Sequence, residues 1–245
     1  MDLMKYSTPL HHNYTVSFMN QIIQWATYAK PVLPVTLSRA LVAAWIGIND
    51  ISDSDKYTFP RNSATDFPSF YKEIIDTEFE ALETVYKAGY KNYLIMNLPP
   101  LERTVSPCSS CKDFLMQRQM LMVIQPGNIK AGVTPLPNST MVHDYNSLIS
   151  SAAANFSSTL QGSKAMVFDS YAFLSGILDN PAPYGIKNTT GYCANYDAPD
   201  IATNYAAYGC LPIDEYFWYN TGHITYKIHQ YLAEAVGRFL ESEGC

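Results

Sequence analysis

Ala40-Leu41-Val42-Ala43-Ala44-Trp45-Ile46-Gly47-Ile48-Asn49-Asp50 is a short apolar run that stops on a glycine, an asparagine and an aspartate. Its apolar part shows no alternation, the pattern of a strand buried on both faces, and parallel sheets contain such strands. Tyr93-Leu94-Ile95-Met96 and Ala165-Met166-Val167-Phe168 are two further runs of the same kind. Helical patterns lie around and between them. Val16, Met19, Ile22, Ile23 and Ala26 share one face of a helix over 16–30, which Pro31 and Pro34 end. Phe70, Ile74, Phe79, Leu82 and Val85 form the apolar side of a helix over 69–88, with acids opposite and Gly89 closing it. Further helices are predicted over 142–160, 170–178 and 225–240, with a polar loop over 101–138 and a loop rich in Pro, Gly and Tyr over 179–215. Alternation of strand and helix implies an α/β fold with a doubly wound parallel sheet. Three strands are few for such a domain.

The 245 residues fit a single domain, 1–245. Charged residues make up 16% of the chain, against a usual value of about 25%. With 16 basic and 22 acidic side chains the net charge is −6, which argues against nucleic acid as a partner and against docking on an anionic membrane. No run of about 18 apolar residues exists, so no segment spans a bilayer. Tyrosine is unusually frequent, at 19 residues, and a charge-poor, tyrosine-rich surface suits an extracellular protein that meets carbohydrate or other neutral ligands. Four N-x-Ser/Thr sequons, at Asn13, Asn138, Asn155 and Asn188, point to secretion as well. The N-terminus, Met1-Asp2-Leu3-Met4-Lys5-Tyr6-Ser7, lacks the apolar core of a signal peptide and pulls the other way.

Two places carry chemistry. Gly47-Ile48-Asn49-Asp50 follows the first strand, at the carboxyl end where parallel sheets bind ligands. Asn49 could present its amide to a substrate there, although Gly, Asn and Asp also make ordinary turns, and spacing alone favours the turn. His223 lies in Phe217-Trp218-Tyr219-Asn220-Thr221-Gly222-His223-Ile224-Thr225, beside an aromatic cluster, where it could act as a general base or be merely structural. Asn220, three residues earlier, could accept a hydrogen bond from its ring. His11, His12, His143 and His229 have no partners at metal-ligand spacing, and Cys108-Ser109-Ser110-Cys111 lacks the second pair a zinc site needs. A small structural disulfide suits Cys108 and Cys111 better. No metal and no cofactor is expected.

Taken in order, these segments resemble the SGNH or GDSL hydrolase superfamily, and within it the fungal, secreted esterases of carbohydrate esterase family 16. Trp45 to Ile51 is similar to the family's Gly-x-Asn-Asp block, and Leu98-Pro99-Pro100-Leu101 to the segment ending the next strand. Asp144 to Leu148, Phe168-Asp169-Ser170-Tyr171 and Asn180-Pro181 through Cys193 follow in the family's order, and Cys210 through Thr225 resembles its last block, which ends in Asp, two residues, then His. The resemblance implies a three-layer, flavodoxin-like α/β domain. It implies a serine that attacks short acyl esters, with carbohydrate acetates among the candidate substrates. His223 takes the place of the general base, the aspartate that orients it falls at Asn220, and Asn49 becomes an oxyanion-hole donor.

Two departures from the family stand out. No Gly-Asp-Ser-Leu-like block occurs, so no nucleophile is assigned: Ser52, Ser54 and Ser63 follow the Asn49 strand instead of preceding it. Residues 1–40 contain no glycine, so the family's second block is missing too. The expectation is an N-terminally incomplete domain without its first two strands, inactive and poorly soluble by itself, secreted and monomeric when complete. A non-catalytic glycan-binding relative and a hydrolase with an unidentified serine are the competing readings. Asn220 is the second departure, because Asp→Asn in a serine-protease triad costs roughly 10⁴ in rate, yet Cys-His-Asn sites orient histidine with an amide oxygen. Asp214 is the alternative group for orienting His223. The secreted reading further implies a Cys193–Cys210 disulfide bracketing the loop before His223, and a Cys108–Cys111 pair, with Cys245 left over.

Overall fold

A computed structural model of the chain describes residues 16–54, 57–105 and 137–244. Cys108, Cys111, Cys245, Asn13, His11 and His12 lie outside the described residues. The chain divides into two compact units, one formed by Met1–Gly47, Tyr57–Asn97 and His143–Phe168, the other by Ile48–Lys56, Leu98–Val142 and Asp169–Cys245.

The first unit holds the sheet. Strands β1 (Leu41–Ala44), β2 (Asn92–Met96) and β3 (Lys164–Phe168) are all parallel, in the order β1-β2-β3. Leu41 pairs with Asn92, and Asn92 with Lys164. The crossovers run through α3 (Phe67–Lys87) and α4 (Ser139–Thr159). Strands laid down in one direction with right-handed crossovers carry both helices on the same face. Accordingly α3 and α4 pack on each other, with the Phe79 and Phe156 rings 5.6 Å apart, and Phe156 lies 5.0 Å from Tyr93 on β2. Helix α1 (Phe18–Gln24) is capped by Ser17, whose hydroxyl accepts from the Asn20 amide, and it continues as a π-helical turn over Trp25–Ala29. The sequence at the start of α3 explains its sharp beginning: Asp66 and Ser69 cap each other's backbone N–H groups, and Pro68 occupies the first turn. Gly89, at φ 102°, lets the chain leave the helix.

Two sequence expectations need correction. Residues 40–46 do not form a strand buried on both faces: β1 is only four residues long, and Leu41 and Ala43 are exposed. Among the described residues β1 has a neighbour on one side only, so half of its surroundings are lost. In β3 burial is likewise incomplete, with Met166 and Phe168 covered and Lys164, Ala165 and Val167 half-buried. In β2 Tyr93, Leu94 and Ile95 are all buried, because among the described residues it alone is flanked on both sides.

The second unit contains α2 (Ile48–Ser52), α5 (Ser170–Asp179), α6 (Ile201–Asn204) and α7 (Tyr226–Ser242). Its core joins Leu174 and Ile177 of α5 to Phe217, Trp218 and Ile228. Cys193 and Cys210 form a disulfide with Cα atoms 5.5 Å apart and a sequence separation of 17. Closing a loop of this length stabilises a fold by about 3 kcal/mol in the chain-entropy model. The paired substitution Cys193→Ala with Cys210→Ala is expected to lower the unfolding free energy by about that amount in urea titrations. A change under about 1 kcal/mol would show that the unfolded chain gains little freedom from losing the link.

Candidate functional site

Asn49, Asn220 and His223 all belong to the second unit. Gly47, three residues after the end of β1, has φ 95°, a conformation open to glycine, and a side chain there would land on the Tyr145 hydroxyl. Trp45, Ile46 and Gly47 link β1 to α2, which begins at Ile48. Asn49 is therefore the second residue of a short helix and not part of a simple turn, and its side chain is exposed. Its carbonyl accepts from the Asp53 amide at 3.1 Å, so its backbone is fixed while the amide group stays at the surface. Ser54 is buried, and its hydroxyl donates to the Ile51 carbonyl at 2.6 Å; the Ser63 hydroxyl donates to Glu73.

The segment around His223 is a tight loop on a fixed base. Phe217 and Trp218 are core residues, and the Trp218 indole N–H donates to the Thr189 carbonyl at 3.0 Å. Trp218 and Ile224 pair across the loop, and the Tyr219 amide donates to the His223 carbonyl at 2.7 Å. Thr225, fully buried, starts α7, with its hydroxyl donating to the Tyr216 carbonyl at 2.8 Å. The five residues Tyr219 to His223 are thus held at both ends by the core.

Within that loop the Asn220 Oδ1 lies 2.8 Å from His223 Nδ1. The same oxygen accepts the backbone N–H of Gly222 at 3.1 Å and of His223 at 3.0 Å. Two N–H donors fix the orientation of the amide, because its NH₂ end has no acceptor there. The ring nitrogen that faces Oδ1 must then donate, which places the proton on Nδ1 and leaves the Nε2 lone pair free. His223 is exposed, so Nε2 is open to a substrate. Asp214 stands elsewhere: its carboxylate meets the Lys227 ammonium at 3.9 Å. Of the two candidates for orienting His223, the structure brings Asn220 to it. On α7, His229 has its pKa lowered below the ordinary imidazole value by desolvation and then by the charge of His223.

Asn138 caps α4, accepting from the Met141 amide at 3.0 Å, and Asn155 is exposed on the same helix. Asn188 Oδ1 accepts from the amides of Thr190 and Gly191 at 3.0 and 2.9 Å. Among the described residues no group of three His, Cys, Asp or Glu side chains is placed to hold a metal, and no helix is long and apolar enough to cross a membrane. Sequence reasoning did not single out Tyr196, whose ring lies between Tyr192 and Tyr219; the crowding of tyrosines in 179–215 was the available signal.

A family model described as GDSL-like lipase/acylhydrolase matches residues 12–236. An acetylesterase of Thermothelomyces thermophilus is 26% identical over 231 residues, which cover 93% of this chain and 62% of that protein. GDSL esterase/lipase 3 of Arabidopsis thaliana is 25% identical over 211 residues, covering 81% of the chain and 52% of the relative. An acetylesterase of Hypocrea jecorina is 25% identical over 206 residues, covering 81% and 56%. The chain thus spans between half and two thirds of the length of these curated relatives.

Proposed function

The chain belongs to the GDSL-like lipase/acylhydrolase family, and from that premise we propose that the whole protein hydrolyses short acyl esters, acetylated carbohydrates among them. The observation that carries this reading is the 2.8 Å contact from His223 Nδ1 to an amide oxygen that cannot turn away. In the proposed mechanism a serine hydroxyl attacks the ester carbonyl and gives its proton to His223 Nε2. The Asn49 side-chain amide donates to the negative oxygen of the tetrahedral intermediate. Collapse of that intermediate expels the alcohol, which takes the proton from Nε2. Water then gives a proton to the same nitrogen as its oxygen bonds to the acyl carbon, and the serine oxygen takes that proton back as its bond to the acid breaks. The reading includes secretion, glycans at the sequon asparagines, a monomeric state and no nucleic-acid partner. The disulfide joining Cys193 and Cys210 supports secretion, since such links persist in oxidising compartments.

Hydrolysis of p-nitrophenyl acetate by the whole protein tests the proposal. Substitution of Asn49 by alanine is expected to cost on the order of 10²–10³ in kcat, the effect of one lost oxyanion donor, with little change in KM. An unchanged rate would remove Asn49 from the mechanism. The 245 residues contain no Gly-Asp-Ser-Leu-like block. That observation favours a second reading, a glycan-binding relative without catalysis. For the 245-residue chain alone the expected result is no adduct with a fluorophosphonate probe. A labelled serine would identify a nucleophile outside the family's usual block.

A further inference from the structure

Helices α3 and α4 of the first unit pack together through Phe79 and Phe156, and beside that contact they leave a groove of about 390 Å³. Its floor is apolar, with Ile75 and Phe79 from α3 and Leu148, Ala152 and Phe156 from α4. Its rim is polar and exposed, with Glu80 on the α3 side and Ser151 and Asn155 on the α4 side. The volume falls at the low end of the range of about 300–1,000 Å³ usual for small-molecule sites, so sugar rings fit.

Asn155 begins the sequon Asn155-Phe156-Ser157 and is itself a wall of the groove. Among the described residues it is the one sequon asparagine that is exposed; Asn138 and Asn188 are half-buried. Asn138 Oδ1 caps α4, and Asn188 Oδ1 holds the amides of Thr190 and Gly191. Among the described residues the Asn155 side-chain amide makes no hydrogen bond, while its backbone is well fixed: its carbonyl accepts the Ser158 and Thr159 hydroxyls at 2.9 and 2.8 Å. The rest of the sequon serves the fold, since Phe156 is buried and Ser157 Oγ accepts from the Ala165 amide at 2.8 Å.

Direction follows from helix geometry. A helical side chain leans toward the N-terminus of its helix and covers the turn before it. A group carried on Asn155 Nδ2 therefore lies over Ser151, Ala152 and Leu148, which line the groove. A sugar ring there meets the half-buried Leu148 and Ala152 with its C–H face and acetyl methyl. Its hydroxyls meet acceptors, the exposed Glu80 carboxylate and Ser151 Oγ, whose own proton goes to the Ser147 carbonyl at 2.9 Å. Tethering raises the effective concentration of the sugar, so weak contacts suffice to hold it.

We propose that Asn155 carries an N-linked glycan whose first N-acetylglucosamine units lie in the groove between α3 and α4 and hold the two helices together. The glycan comes from an oligosaccharyl diphospholipid. Asn155 Nδ2 bonds to the anomeric carbon, the bond from that carbon to the diphosphate oxygen breaks, the diphosphate leaves with the electron pair, and the amide gives up one proton. The inference rests on the reading that the protein is secreted and glycosylated, and it adds which asparagine carries a glycan that the fold itself binds.

The test uses the whole protein secreted from yeast and trimmed by an endoglycosidase to a single N-acetylglucosamine, beside unglycosylated protein from a bacterial host. Glycopeptide mass spectrometry is expected to find Asn155 occupied. Nuclear Overhauser contacts should join the acetyl methyl to Leu148 or Ala152. Asn155→Gln made in yeast should melt about 2–4 °C below the native glycoprotein. The same variant from the bacterial host should match its unglycosylated parent within about 1 °C, because an exposed side chain with no partner is replaced. Ala152→Glu, which fills the groove, should keep the glycan and lose the acetyl contacts. An unmodified Asn155 with a glycan on another sequon would overturn the inference and leave the secreted reading standing. A chain from yeast without any glycan would sink both. An occupied Asn155 with no acetyl contacts, or with a melting difference below about 1 °C, would overturn the groove as the seat of the glycan.

Discussion

His223→Ala in the whole protein is expected to lower kcat for p-nitrophenyl acetate by roughly 10⁶-fold, the loss seen when the histidine of a serine-hydrolase triad is removed. The magnitude follows from the role. Without Nε2 the serine hydroxyl attacks with its proton still attached, and the leaving alcohol has no acid to take one from. Both halves of the reaction lose the same group, so the loss should appear in kcat and kcat/KM together. His223 is exposed and belongs to no core cluster. Its truncation should therefore change stability by no more than about 0.5 kcal/mol, which separates loss of chemistry from loss of fold. A stopped-flow assay under single-turnover conditions gives the measurement. A decrease of less than about 100-fold would mean that another group serves as the base.

The second large effect concerns Asn220. Alanine at this position should lower kcat by roughly 10³–10⁴, and aspartate should stay within about tenfold of the native protein. In a triad built on a carboxylate, an asparagine costs about 10⁴ because its amide can present NH₂ to the ring and enforce the wrong tautomer. Here that outcome is blocked. The Gly222 and His223 amides, at 3.1 and 3.0 Å, both need an acceptor at the position of Oδ1. Reversing the amide would leave two N–H donors facing a third, at a cost of about 1–3 kcal/mol for each unsatisfied group that is shielded from water. The oxygen therefore stays toward Nδ1. Aspartate offers an oxygen at the same place, whereas alanine removes both the partner of the ring and the acceptor that shapes the loop. Nitrogen-15 NMR of the imidazole gives a readout that a purely structural role would not move: Nδ1–H in the native and Asn220→Asp proteins, and a mixture of tautomers in Asn220→Ala. A native ring protonated at Nε2 when neutral would refute the argument.

Much of this arrangement was legible beforehand. The apolar runs and the 3.6-residue patterns located β2, β3, α3, α4, α5 and α7 within a few residues, because burial in a sheet or along one helix face requires those side chains at those intervals. The Asn220-x-x-His223 spacing also predicted a contact, since three residues of a turn bring a short amide back onto the ring. Two features were hidden. The exposure of β1 depends on what lies beside it, and the pattern Leu41-Val42-Ala43-Ala44 reads the same for an edge strand and a central one. The loop 179–215 and the segment that follows it have no period, so nothing in their order separated the buried Trp218 from the half-exposed Tyr196 and Tyr219.

Roles for Asn49, Asn220 and His223 came only from the resemblance to the hydrolase family; what the sequence by itself determined was the α/β class and the parallel strands. Those are matters of composition and local spacing, and they are set by which side chains exist and how far apart they sit along the chain. The tertiary structure decided which oxygen faces His223, in which orientation the Asn220 amide is held, and which tyrosines remain accessible. Each of these depends on backbone N–H groups, a disulfide and a core that meet only when distant segments fold together, and no local pattern encodes them.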